Sequence, residues 1–386
     1  MRYTALSFVS FTLLFACGGS TTDTANDGAA GTGAAGTSSA AGGSSSATGG
    51  SSGKGGSGTA GSGTAGSGGS GTGGTGNAGA GGSGGGQVPS NVQATQHIFF
   101  GDTDWNGTPN NNAWILYGMD LDGHVDTPQK TAVHCDPVSG AKGADVMTNG
   151  PKGEDNSFGM NIWPMWLGLA SDAGMKIDGA IADGTQSWVV GVDGLPASGD
   201  GAALNAWFSG VRMQGTTPPT AADWMNGTYG WSVNTDDLVT PTPLVAKAAF
   251  PGSVLSKLVL STPAVSSTTL TMQLGFGPGV LHFARVQVTY SPDETSAAVI
   301  VAGVLDTQEY VAGFKKWAGT ISSSLCSGSA LDGIAQQLAQ ASDMNKDGTQ
   351  KPGTTCDGIS VGVGLKTRRA LIGGSYTPPA PANPCP

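Results

Sequence analysis

Glutamate is almost missing beyond residue 87: Glu154, Glu294 and Glu309 are the only three, against 22 Asp. Short carboxylates serve turns and caps better than helix surfaces, so a mainly helical domain is disfavoured. Clustered Lys and Arg are lacking too. Setting aside Arg2, Lys54, Asp23 and Asp27 leaves 15 basic and 25 acidic residues in 88–386, which carry the whole net charge of −10. Phosphate neutralisation needs basic clusters, so nucleic acid is excluded as a natural partner. There is no uninterrupted run of about 18 apolar residues, which excludes a membrane-spanning helical bundle. No C-x-x-C or H-E-x-x-H spacing occurs, removing the common zinc sites, and His97, His124, His134 and His282 stand in no catalytic spacing. No nucleophile elbow is read from the chain, and Glu154 with Asp155 is the first carboxylate pair to consider for glycoside cleavage.

From Gly18 to Gln87 there is no aromatic and no aliphatic side chain larger than alanine; 29 of these 70 residues are Gly, 13 Ser, 12 Ala and 10 Thr. Nothing there can offset a backbone ordering cost of roughly 1–2 kcal/mol per residue, so the segment reads as a disordered linker. As a Gly-rich coil it spans about 45 Å root-mean-square. Ahead of it, Arg2 and the apolar stretch Ala5–Ala16 have the form of an export signal. Leu14-Phe15-Ala16-Cys17-Gly18 resembles the lipobox of bacterial lipoproteins, in which the cysteine is acylated and becomes the mature N-terminus. The competing reading is ordinary cleavage nearby, which removes Cys17. The resemblance, with Gly18 in place of an acidic residue after Cys17, implies attachment at the outer membrane or cell surface. The expected organisation is 1–17 signal peptide and lipobox, 18–87 linker, and 88–386 a single globular β-rich domain.

Short apolar or alternating runs bounded by Gly, Pro, Asp or Asn predict strands at 98–100, 114–117, 188–192, 203–208, 229–233, 254–260, 270–276, 280–290 and 298–305. In 281–290 the alternation places His282, Ala284, Val286, Val288 and Tyr290 toward the core. No strand–long helix alternation occurs in that region, so the expected fold is mainly β: an antiparallel, jelly-roll-like β-sandwich with two short helices near the C-terminus. Thr307 is the expected N-cap of the first helix, with Tyr310, Val311, Phe314, Trp317 and Ala318 on its apolar face and Gly319 closing it. Ser329 caps the second, with Leu331, Ile334, Leu338 and Ala341 facing inward, and 359–365 returns as a strand.

After Cys17 four cysteines remain, an even number in an exported domain, which predicts two disulfides. Three connectivities are open; Cys326–Cys356 with Cys135–Cys385 is the favoured one. The second helix runs into Asp343-Met344-Asn345-Lys346-Asp347-Gly348-Thr349, the first half of an EF-hand-type calcium loop. Position 12 is Thr354 rather than Glu, and Asp357 can supply the carboxylate that is lacking. Asp102-Thr103-Asp104-Trp105-Asn106-Gly107 repeats the pattern more weakly, with further ligands available from Asp120-Leu121-Asp122 and Glu154-Asp155-Asn156. Calcium held by either loop competes with plain Asx-turns as the explanation.

All nine Trp lie beyond the linker. Trp188, Trp207 and Trp317 are expected inside. Trp105 and Trp224, in Asp/Asn/Gly loops, are expected to be exposed and are the candidates for stacking on sugar.

Several segments occur in a telling order: Gly101-Asp102-Thr103, Asp155-Asn156-Ser157-Phe158-Gly159, the run 301–307, Ser324-Leu325-Cys326, Gln340-Ala341-Ser342-Asp343 and Thr355-Cys356-Asp357-Gly358. Together they resemble a group of myxobacterial surface lipoproteins with Gly/Ser tethers. The resemblance spans most of the domain, implies a lipid-anchored surface location, supports the placing of Cys326 and Cys356, and carries no catalytic residue. Where that group has an apolar residue before the Asp-Asn-Ser-Phe-Gly run, this chain has Glu154, which weakens any role for it. The expectation is therefore a lipid-anchored surface module, disulfide-braced and calcium-stabilised, that binds a glycan or a surface protein; the alternative is an extracellular polysaccharide-active enzyme.

Overall fold

In the computed structural model the residues described are 91–125, 134–141, 149–195, 200–214, 230–263, 267–274, 277–379 and 384–385. Cys17, the segments 1–17 and 18–87, and Trp224 lie outside them. The elements are β1 (Asn91–Phe99), α1 (Ala113–Tyr117), a π-helical turn (Phe158–Ile162) that continues into α2 (Trp163–Leu169), and α3 (Ala173–Ala182). Next come β2 (Ser187–Asp193), β3 (Gly201–Met213), β4 (Gly230–Asn234), β5 (Leu238–Pro241), β6 (Leu244–Ala246), β7 (Ala248–Ser256), β8 (Val259–Ser261) and β9 (Leu270–Gln273). The chain continues with β10 (Pro278–Tyr290), β11 (Ser296–Asp306), α4 (Thr307–Ile321), α5 (Ser329–Gln340), β12 (Gly358–Arg369) and β13 (Leu371–Tyr376). No helix among the described residues is long and apolar enough to cross a membrane.

The domain is mainly β, but the expected sandwich is a closed barrel. Eight strands pair in the ring β1-β2-β3-β7-β8-β10-β11-β12 and back to β1, every contact antiparallel. Closure depends on β3, which is long enough to pair β7 through 201–208 and β4 through 211–213. The ring thereby loses its free edges. β13 adds in parallel to β4, β9 pairs the start of β10, and β5–β6 form a separate hairpin.

One face of each barrel strand points inward. Val190, Phe208, Val286, Val299 and Val361 belong to one buried cluster that continues into α2–α5 through Trp166, Ile181, Phe314 and Leu338. Phe100 stacks on Trp163 at 4.1 Å, and the Trp166 indole donates to the Tyr310 hydroxyl at 3.3 Å. The outer faces of β1–β3 are buried against β4 and β13 through Val92, Val189, Trp231 and Ile372.

Several local expectations change, and the N-cap of α5 is Gly328 rather than Ser329. Residues 114–117 are helical, and α2 and α3 are additional helices; a five-residue apolar run does not distinguish strand from helix by periodicity. In β10 the expected alternation holds from Ala284 onward and inverts before it. Phe283 adopts φ +52° and the register with β11 shifts there, so Leu281 is buried and His282 is turned outward. At α4 the N-cap is Asp306, whose carboxylate accepts from the amides of Gln308 and Glu309 at 2.9 and 3.1 Å. Thr307 lies inside the first turn, its hydroxyl 2.7 Å from that of Ser342, and the helix runs past Gly319 to Ile321. Trp188 and Trp207 are buried as expected, whereas Trp317 is only half-buried.

There are two disulfides, with the other pairing: Cys135–Cys356 and Cys326–Cys385. Asp136 and Thr355 form a parallel bridge, with the Cys356 amide donating to the Asp136 carbonyl at 2.8 Å, which sets Cys135 beside Cys356. Cys326, just past α4, meets the C-terminal tail instead.

Candidate metal centre

The outer faces of β11 and β12 are covered by loops from three parts of the chain, 101–122, 149–157 and 341–357. Their close approach depends on glycine. A Cβ on Gly362 would stand 2.2 Å from the Tyr117 carbonyl oxygen, and one on Gly364 would stand 2.4 Å from the Tyr117 ring.

Asn156 fastens the layer to the barrel. Its Nδ2 donates to the carbonyls of Trp114 and Gly362, and its Oδ1 accepts from the amides of Gly159 and Gly362, all four at 2.9 Å. The carboxamide thus pairs Gly362 as a neighbouring strand would. Ser157 continues the connection: its amide donates to Ser360 Oγ at 2.8 Å and its hydroxyl to the Ala341 carbonyl at 2.6 Å.

Three carboxylates meet in this layer. Asp120 and Asp122 form Asx-turns, accepting from the amides of Gly123 and His124 at 2.6 and 2.8 Å. An isolated antiparallel bridge between Met119 and Asp155 brings the third, and Asp155 Oδ2 accepts from the Leu121 amide at 2.7 Å. One oxygen of each of the three lies within 4.8 Å of the others, and Asp155 is only 1% exposed. Arg285, on the outer face of β10, donates to the carbonyls of Asp120 and Leu121 and to none of the carboxylates. Gln350 donates to Asp122 Oδ2 at 2.9 Å and to the Asp343 carbonyl at 3.0 Å, while its Oε1 accepts from the Cys135 amide at 3.1 Å.

Burial, then Asp122 and Asp343, push the Asp155 carboxyl far up, against the Leu121 hydrogen bond. Burial pushes Asp343 up to about 7 in spite of its hydrogen bonds from Ser360. Burial also lowers Arg285, against the pull of Asp120, Asp155 and Asp122. A hard, all-oxygen donor set of this kind can hold a metal ion.

The raised Asp343 sets a pH dependence. An unfolded Asp ionises near pH 4 while the folded one keeps its proton to about pH 7. Its contribution is therefore complete below about pH 4 and is lost as pH rises to about 7, by a few kcal/mol. Denaturant unfolding in chelator is expected to show stability falling across that window, with Asp343→Asn flattening the profile.

The sequence-predicted loops are arranged otherwise. Asp343 accepts from the Ser360 amide and hydroxyl at 2.8 and 2.5 Å. Asn345 Nδ2 donates to Thr354 Oγ1 at 3.1 Å. Asp347 accepts from Thr349 Oγ1 at 2.5 Å and from Lys351, and Asp357 accepts from the Lys346 amide at 2.8 Å. Among the described residues these carboxylates form no three-membered group around one point, while Asn345 Oδ1 is buried without a hydrogen-bond partner. In the first loop Asp104 accepts from the amides of Asn106 and Thr108 at 2.8 and 3.0 Å, an Asx-type turn, and Asp102 and Asp104 stand apart from the Asp120 cluster. Trp105, expected exposed, is half-buried, with its ring edge-on to Tyr117 at 4.9 Å and to Phe99 at 5.3 Å.

Two arrangements bear on hydrolysis. Contrary to the expectation that the chain has no nucleophile elbow, Gly358-Ile359-Ser360-Val361-Gly362 has that spacing, but it lies inside extended β12 with Ser360 fully buried on Asp343. Asp306 and Glu309 line a groove of about 340 Å³ with Trp317. Asp306 is occupied as the α4 cap and by Lys346 at 3.0 Å, which with the amides of Glu309 and Gln308 hold it below the usual range against the effect of burial. Glu309 lies 3.3 Å from His282. Glu154 accepts from the Lys152 amide at 2.8 Å.

No family model, no curated protein and no solved structure matches the chain. What the fold and site define is a class: a closed antiparallel barrel carrying a disulfide-braced, carboxylate-rich loop layer.

Proposed function

We propose that the chain is a lipid-anchored lipoprotein of the outer membrane or cell surface whose barrel is a binding module with a calcium-braced loop layer. The observation that carries this reading is the convergence of Asp120, Asp122 and Asp155 beside a guanidinium that, among the described residues, hydrogen-bonds to carbonyls and not to these carboxylates. Three carboxylates against the one guanidinium of Arg285 leave an excess of negative charge there, which a proton or a cation relieves, and in a calcium-rich exterior the cation wins at neutral pH. Calcium suits the site better than magnesium because Asx-turn and backbone oxygens tolerate irregular geometry. The role is structural: the ion joins the 120–122 turn to the 155–157 segment and so fixes the surface that the loops present.

The test is a thermal melt of the mature chain with calcium and with chelator. At a hundredfold excess over Kd, calcium adds about 2.7 kcal/mol, which raises the midpoint of a domain this size by about 4 °C. Asp155→Asn keeps an acceptor for the Leu121 amide and is expected to lose the calcium response while melting no lower in chelator. A midpoint indifferent to calcium sinks the reading.

The anchor is tested separately. Cys17→Ala is expected to abolish fatty-acid labelling and to move the chain from the membrane fraction to the soluble one. Labelling that persists refutes attachment at Cys17. Gly-rich residues 18–87 serve in this reading as the spacer that carries the barrel clear of the membrane.

A further inference from the structure

The outer face of β12 changes character along its length. Gly362 and Gly364 lie under Tyr117, and beyond them Lys366 and Arg368 follow on the same outer side of the strand. Residues two apart on a strand share a face, about 7 Å apart. Their partners across the ladder on β11 are the small residues Ala298 and Ser296. The result is a groove of about 350 Å³ with Trp105 and Gln96 among its lining residues.

Both cations are held without a carboxylate. Lys366 Nζ lies 5.4 Å from the centre of the Phe99 ring, and Arg368 Nε donates to Gln96 Oε1 at 3.0 Å. Neither forms an ion pair among the described residues. In a chain of net charge −10, two cations side by side with no ion pair among the described residues concentrate positive charge at this groove. Trp105 is fixed beside them: its edge packs on Tyr117, and a Cβ on Gly364 would come within 2.9 Å of its Cη2.

We propose that this groove binds a linear acidic polysaccharide whose uronate carboxylates meet Lys366 and Arg368. The proposal rests on the reading of the domain as a surface binding module and names its ligand class. A pyranose ring has an apolar face that stacks on indole, and Trp105 offers one at the groove wall. Arg368 gives a carboxylate its planar fork and Lys366 a point charge, while Gln96 and Ser296 reach ring hydroxyls. A phosphate-dense polymer requires more cations than these two to overcome the net charge of −10. An anionic bilayer requires several apolar side chains to insert, whereas Trp105, half-buried against Tyr117, stands over a small floor of Ser296 and Ala298.

The test is affinity electrophoresis of the mature chain, with calcium present, in gels containing hyaluronan, dextran, or neither. Hyaluronan is expected to retard the protein and dextran not to. Lys366→Gln/Arg368→Gln is expected to weaken hyaluronan binding at least tenfold, and Trp105→Ala to weaken it with both cations in place. Each variant must keep the calcium-dependent melting shift, so loss of the glycan is distinguishable from failure of the braced module. No retardation by hyaluronan, equal retardation by dextran, undiminished binding by the double variant, or equal binding to single-stranded DNA or phosphatidylglycerol vesicles would each overturn the assignment.

Discussion

Asn156→Ala is expected to cost at least about 4 kcal/mol, since four buried backbone groups lose their partner at once and each unsatisfied group costs roughly 1–3 kcal/mol. The groups are the carbonyls of Trp114 and Gly362 and the amides of Gly159 and Gly362. Total stability for a domain is about 5–15 kcal/mol, so the variant sits near or beyond the folding threshold. Water cannot take over, because Asn156 is 2% exposed and sits between β12 and the π-helical turn. Asn156→Asp separates the two halves of the effect. It can still accept from both amides but cannot donate to either carbonyl, and it adds a charge next to Asp155. Urea unfolding of the three proteins is the measurement. A loss below about 1 kcal/mol in Asn156→Ala would mean that the carboxamide is not the fastening described.

The residues of this fastening stand in the sequence as a string, Asp155-Asn156-Ser157-Phe158-Gly159, in which Asp155 and Asn156 read as extra oxygen ligands and nothing marks Asn156 as a fastening. The structure gives successive members different partners: Asp155 turns to the carboxylate cluster, Asn156 and Ser157 to β12 and the 341 loop, and Phe158 to the core. Single-residue alternation of this kind in an irregular segment has no period to detect. Strand content was legible because apolar alternation reports one buried face. Whether that face closes on itself or on a second sheet depends on the β3–β7 pairing, a contact between strands distant in sequence, so barrel and sandwich share one pattern. The inversion before Ala284 has the same origin: one residue at φ +52° flips the face, and no side-chain pattern announces it. Among metal candidates, the contiguous loop 343–349 drew attention because its oxygens are close in sequence. The cluster that forms takes two from 120–122 and one from 155, residues that the sequence offers as additions to the 102–106 loop and, for Asp155, as half of a carboxylate pair with Glu154. Spacing finds ligands that share a turn; the Met119–Asp155 bridge made this group, and it is a tertiary fact.

Loss of the Cys135–Cys356 bridge is expected to destabilise the domain more than loss of Cys326–Cys385. The first joins residues 221 apart and the second residues 59 apart. Loop-closure entropy alone then assigns about 5 and about 4 kcal/mol to them. The difference in role is larger than the difference in entropy. Cys135 donates its amide to Gln350, and Gln350 in turn holds Asp122 and the Asp343 carbonyl, so the first bridge is wired to the carboxylate cluster. Cys326–Cys385 secures the tail beside α4 and touches none of those residues. Cys135→Ser/Cys356→Ser should therefore lower the chelator melt and also shrink the calcium-induced rise. Cys326→Ser/Cys385→Ser should lower the melt and leave that rise intact. Peptide mapping under non-reducing conditions checks the premise directly: a cross-linked peptide joining Cys326 to Cys356 would contradict the connectivity, and equal calcium responses in the two double variants would break the link between the bridge and the cation.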